Sequence, residues 1–250
     1  MKKLIKSGEM IGKNRETNMI TSQYLVFFLI LVTNLFTFAQ AKSTDANHSA
    51  HAEGTRPEVA LKWLKNGNTR FVKGHLRNDG ARSADIKRLS TGQTPHSIIL
   101  SCSDSRVPPE VVFDQKLGEI FTVRTAGEAI DPSAIASMEY AVEHLGSRNL
   151  VVMGHTNCGA VKAALSTLSG ADAGSKNLNH LVHDLHPRLM QFKESTKHSK
   201  NYEKESWANV EGIIKDLKLR SPELAKRISS GELTISPALY HLETGVVQFK

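Results

Sequence analysis

Three short runs of almost unbroken apolar residues punctuate the chain: SIILSC (Ser97 to Cys102), EIFTVRTAG (Glu119 to Gly127) and NLVVMGH (Asn149 to His155). A strand with one face in water alternates apolar and polar residues, whereas a strand covered on both faces does not. The runs therefore predict strands of a buried parallel sheet. Between the second and third, Asp131 can cap a helix, Pro132 suits its first turn and Gly146 its end. After His155 the stretch CGAVKAALSTL predicts another helix. Strand, helix, strand, helix in this order reads as an α/β fold, a central, mostly parallel sheet flanked by helices.

The flanks are less regular. From Pro57, PEVALKWLKNGNTRFVKG spaces Val59, Leu61, Trp63, Leu64, Phe71 and Val72 among charges. This predicts an amphipathic helix stopped near Gly67 and a short second one, together an N-terminal helical arm. Leu76 to Thr94 is polar and predicts no element. Leu178 to Phe192, Trp207 to Leu219 and Pro222 to about Ser229 have helical spacing. The tail ELTISPALYHLETGVVQFK predicts a strand and then a hairpin turning near Thr244-Gly245, a C-terminal edge hairpin expected to add antiparallel strands at the sheet edge. There is no internal repeat.

At the other end, Tyr24 to Phe38 is almost wholly apolar, with Lys2, Lys3, Lys6, Lys13 and Arg15 upstream and Ala39-Gln40-Ala41 downstream. The apolar core is shorter than the roughly 18 residues of a spanning helix. It has the layout of a signal peptide cleaved after Ala41. Residues 1–41 are thus expected to be a signal, 42–55 a flexible linker carrying His48 and His51, and 56–250 a single domain. Export to the periplasm or beyond follows, with no stable membrane anchor. Met19 offers a more compact start. Setting aside the five Lys/Arg and two Asp/Glu of the first 41 residues lowers the net charge from +7 to +4. No basic block with aromatic platforms remains, which argues against nucleic-acid binding.

Only two cysteines exist, Cys102 and Cys158. In an oxidising compartment the default for such a pair is a disulfide. Their neighbours suggest another use. Ligands of open α/β sheets bind beyond the carboxyl ends of the strands. Cys102 opens CSDSR at the end of one predicted strand, and His155 and Cys158 belong to HTNC at the end of another. Two thiolates and an imidazole supply three ligands of a tetrahedral Zn²⁺, and the missing fourth is the mark of a catalytic site. That position falls to water or to Asp104, which a bidentate pair with Arg106 would hold ionised. A phosphatase-type nucleophile would need an arginine six residues after the cysteine, where this chain has Pro108.

These stretches together resemble the β-class carbonic anhydrases. The likeness runs through ALKWLKNGNTRFVKG, GQTPHSIILSCSDSRVPPEVVFDQKLGEIFTVRTAG, SMEYAVEHLGSRNLVVMGHTNCGAV and ISPALYHLETGVVQF. It implies one Zn²⁺ per subunit on Cys102, His155 and Cys158, an Asp104/Arg106 catalytic dyad, and hydration of carbon dioxide to bicarbonate and a proton by zinc-bound hydroxide. Asp104 would bind the metal only in a closed state. The resemblance further implies that Gln93 and Gly159 help bind substrate, Gln93 often across a dimer interface, and that the chain forms a homodimer or tetramer through its N-terminal helices. Two positions depart from the family. Ile99 stands where a regulatory bicarbonate pocket uses Trp, and Glu128 where Asn is common. A CS2-like substrate on the same scaffold and a non-catalytic exported zinc protein assisted by His48 and His51 are the competing readings.

Overall fold

The computed structural model describes residues 54–250. The expected signal segment and the linker histidines His48 and His51 lie outside them. The sheet has five strands, β1 (Ser97–Cys102), β2 (Ile120–Thr125), β3 (Asn149–His155), β4 (Thr234–Tyr240) and β5 (Val247–Phe249), in the order β2-β1-β3-β4-β5. The first four are mutually parallel and β5 pairs antiparallel with β4. The tail therefore contributes one more parallel strand, with only the last strand reversed at the edge.

Why the apolar runs are unbroken is now explicit. In β1 and β3 every residue is buried, whereas β2 lies at the sheet edge and is only half-buried, contrary to the expectation for its run. Ile99, Val151 and Met153 enter one core, and Ile98, Leu100, Leu150 and Val152 enter the other. The first core is closed by α1 (Pro57–Val72), α3 (Pro109–Val112), α5 (Gly159–Leu168) and α6 (Lys176–Leu189). The second is closed by α4 (Pro132–Glu143), α7 (Glu203–Arg220) and α8 (Pro222–Ser229). The remaining helix is α2 (Ser83–Leu89). Asp131 does cap α4, its Oδ1 accepting from Ala134 N at 2.7 Å.

Two expectations for the flanks are corrected. Residues 57–72 form one helix rather than two, because Gly67 is a contact point and not a stop. A Cβ there would lie 1.7 Å from the Phe113 carbonyl oxygen. The neighbouring Asn68 fastens the same surface, donating to Val112 O (3.1 Å) and Gly245 O (2.9 Å) and accepting from Val247 N (2.9 Å). The second correction is α2 in the polar stretch, which buries no residue. Asp85 accepts from the Arg82 N–H at its start, a local cap that hydrophobic spacing does not register.

Gly67→Ala tests the close approach. Helix propensity alone would favour alanine by about 1 kcal/mol. Overpacking against the Phe113 carbonyl opposes this by typically 1–3 kcal/mol, so chemical denaturation is expected to find the variant less stable. A gain in stability would contradict the contact.

Candidate metal centre

β1 and β3 are parallel neighbours, with Ser101 opposite Met153. Their carboxyl ends thus open on the same edge, and Cys102 and His155 are the last residues of the two strands. Cys158 caps α5 three residues beyond His155. Both thiols are free, which removes the disulfide, and all three side chains are buried. Ligand atoms of Cys102, His155, Cys158 and Glu128 lie within 4.8 Å of one another. The three sequence-predicted ligands are brought together, and a fourth residue joins them.

The 155–158 loop is fastened from several sides. Thr156 N donates to Tyr240 O (3.0 Å), and Thr156 Oγ1 accepts from Leu242 N (3.1 Å). Ser206 Oγ donates to the His155 carbonyl at 3.0 Å. Asn157 adopts φ +57°, and its N–H reaches Asn201 O at 2.6 Å. His155 Nδ1 lies 2.9 Å from Thr156 O. A carbonyl only accepts, so Nδ1 carries the proton and Nε2 presents its lone pair to the cluster. Nε2 is buried and has no partner among the described residues. Such an atom is costly unless something satisfies it.

The two thiols affect each other's titration. The Cys158 hydrogen bond lowers Cys102 to about 4, opposed by burial and helped by His155 and by the Gly127 N–H, 3.4 Å from Sγ. The same hydrogen bond and burial push Cys158 up. Glu128 is also pushed well above the usual carboxylate range, by burial first and then by the Cys102 charge. Without a cation these groups compete for charge. A divalent ion among them reverses that logic, deprotonating thiols outright. The crowding of thiol, imidazole and carboxylate donors, with Nε2 unsatisfied, fits a metal of borderline softness.

Beside the cluster, Arg106 grips Asp104 three times. Nε reaches Oδ1 at 2.9 Å, Nη2 reaches Oδ2 at 2.7 Å, and the backbone N–H reaches Oδ1 at 2.9 Å. This holds the carboxyl far below its usual range. Asp104 Oδ2 stands 3.9 Å from His155 Nε2, too far for a hydrogen bond. Asp104 is not among the four clustered donors.

Residues 97–247 match the family profile for carbonic anhydrase. Carbonic anhydrase 2 of Mycobacterium tuberculosis is 36% identical over 192 residues, 76% of this chain and 91% of that protein. The carbonic anhydrase of Mycolicibacterium smegmatis is 36% identical over 197 residues, 78% of this chain and 94% of its own. The chain belongs to the carbonic anhydrase family. Its fold agrees with a solved β-class carbonic anhydrase, CcaA, at a TM-score of 0.61 and 25% identity, covering 76% of this chain and 94% of that one, and its class is the β class.

For a β-class carbonic anhydrase, two of the residues singled out by sequence have no role that this geometry requires. Gln93 is exposed and precedes β1, at the opposite end of the strand from Cys102. Within one subunit it does not reach the centre. Gly159 opens α5 next to Cys158, and a Cβ there would meet nothing within 4 Å, so space does not require glycine. Conversely, Arg124 went unnoticed in the sequence. Its Nε donates to Cys102 O (3.0 Å) and its Nη2 to Asp104 O (2.7 Å), pinning the whole CSDSR turn. The signal was its position in β2, since Arg124 lies opposite Ser101 in the register.

Proposed function

We propose that the chain catalyses the reversible hydration of carbon dioxide to bicarbonate and a proton, with zinc held by Cys102, His155 and Cys158. The observation that carries this reading is the buried His155, its Nε2 unsatisfied, clustered with two thiols beside an Asp104 locked by Arg106. Zinc at such a site acidifies water, making hydroxide available near neutral pH.

The chain's own groups would do the rest. Asp104, ionised by Arg106, is an acceptor whose orientation is fixed at both oxygens. Lying beside the donor set, it can take the hydrogen bond of the reacting oxygen and turn a lone pair towards carbon dioxide. Arg124 fixes the backbone carrying both Cys102 and Asp104, so acceptor and ligand move as one. Mere metal binding would need neither Asp104 nor Arg106, which argues against a purely structural zinc protein.

Oligomerisation is part of the same proposal. Gln93 could meet a catalytic centre only on another subunit. Trp63 and Val72 leave large apolar area exposed on α1, as helices that pack on a neighbour do. Export also remains a proposal, resting on the apolar segment Tyr24 to Phe38. The mass of the protein recovered from its native compartment would test cleavage after Ala41.

The decisive experiment is stopped-flow carbon dioxide hydration by the purified, zinc-loaded protein. Turnover well above buffer at about pH 8.5 is expected. Full zinc occupancy without hydration would sink the proposal.

A further inference from the structure

Glu128 has so far been only a fourth neighbour of the cluster. It follows β2 in a short turn, Ala126–Glu128, where Gly127 (φ +65°) and Glu128 (φ +54°) are both left-handed. Glycine takes this conformation freely, but for glutamate it costs on the order of 1–2 kcal/mol. A strained residue on a surface loop would aim its carboxylate at water. Here the carboxylate turns inward and is 1% exposed.

Its two oxygens differ. Oε2 accepts from Asn209 Nδ2 at 3.1 Å, and the same amide donates to Gly127 O at 2.9 Å. Asn209 in turn accepts from the buried Arg188 at 3.4 Å, which is anchored by Asp184 (2.9 Å) and Asp216 (2.7 Å). Oε1 has no partner among the described residues. Glu128 and His155, each with one buried unsatisfied atom (Oε1 and Nε2), thus belong to one group with the two thiols. No donor among the described residues satisfies either atom, and a cation would satisfy both.

Asp104 is the other carboxylate nearby, and its situation is the reverse. Arg106 occupies both of its oxygens, it is partly solvent-facing, and it stands outside the group of four. We infer that the carboxylate completing the metal's protein donors in this chain is Glu128, through Oε1, and that Asp104 is left free to face substrate. The inference rests on the proposed metal centre and goes beyond it, since it assigns the fourth donor to a residue reached from β2 rather than to CSDSR. Hydration needs an open position, so this closed set describes the resting site; tethered through Oε2 to Asn209, the carboxylate keeps its place when Oε1 gives way to water.

Glu128→Gln tests the assignment. It preserves size and an oxygen for Asn209, and removes the anionic donor. The readouts are zinc affinity, by competition with a chromophoric chelator, and the visible spectrum of the cobalt-substituted protein. Loss of an outer hydrogen-bond partner lowers metal affinity by about 10- to 100-fold. Loss of a direct donor should reach at least the upper part of that range, and should shift the cobalt d–d bands while leaving thiolate charge transfer in place. Affinity within about twofold of wild type and superimposable spectra would overturn the inference. A crystal structure of the zinc-loaded wild type tests it without any variant. A Glu128 oxygen at about 2.0–2.2 Å from zinc supports it, and one beyond bonding distance overturns it. If wild type retains no zinc, the proposed function falls as well. If wild type holds zinc and the variant matches it, this assignment alone falls.

Discussion

Asp104→Ala is expected to lower kcat/KM for carbon dioxide hydration by about 10²- to 10⁴-fold, the range of a positioned proton-accepting group, with zinc content unchanged. The separation of the two readouts follows from geometry. Asp104 stands outside the cluster of donors, so its loss leaves Cys102, His155 and Cys158 in place. What disappears is the fixed acceptor beside them. Asp104→Asn should fall nearly as far. The amide keeps the shape but turns one oxygen, now facing the Arg106 fork, into a donor.

The pH dependence has a definite sign. The Arg106 hydrogen bond depresses the Asp104 carboxyl. Such a group contributes stability above the ordinary carboxylate range, lost only as pH falls through the depressed value. Asp104 therefore stays ionised through the neutral and alkaline range, and no inflection of activity there should be removed by Asp104→Asn. Parallel metal analysis and stopped-flow rates check all of this. A variant that loses zinc together with activity would make Asp104 a ligand instead.

The second large effect is expected for His155→Ala. Removing the imidazole deletes one donor and leaves the two thiols without the neutral nitrogen beside them. Zinc affinity should fall beyond the about 10- to 100-fold expected for an outer partner, and hydration activity should fall with it. Stability offers an independent readout. A ligand that binds only the folded state, present at a thousandfold its Kd, stabilises by about 4 kcal/mol. For a domain of this size each kcal/mol moves Tm by roughly 2–4 °C. Zinc should therefore raise the wild-type Tm by about 8–16 °C, and should leave His155→Ala nearly unmoved. Equal zinc-induced shifts in the two proteins would exclude His155 from the centre. Thiol titration adds a further check, with Cys102 and Cys158 masked in the zinc-loaded wild type and reactive after chelation under denaturant.

Much of this was legible along the chain because it is local. An unbroken apolar run reports burial on both faces, and SIILSC and NLVVMGH are the strands they look like. The cap at Asp131 acts within three residues. The CSDSR and HTNC motifs each carry their donors on one short turn, so their spacing survives folding. What was missed depends on groups distant in sequence. Gly67 reads as a helix stop until Phe113 presses on it. Arg124 looks like a polar residue in a strand until β2 lies beside β1 and its guanidinium reaches the CSDSR carbonyls.

Glu128 is the sharpest case. In sequence it was a departure from the family with no consequence attached. Its burial comes from α7, which brings Asn209 to one oxygen, and from the left-handed turn that carries the residue into the cluster. The sequence by itself determined the sheet's character, the two motifs at strand ends and the chemistry of three donors. Tertiary structure alone decided that the two motifs share one edge, that Asp104 stands beside the donors instead of among them, that Gln93 lies at the far end of β1, and that Glu128 joins the group. Local patterns fix which groups a turn presents. Only the packing of separate elements fixes which of those groups lose their water together, and shared desolvation is what makes them one site.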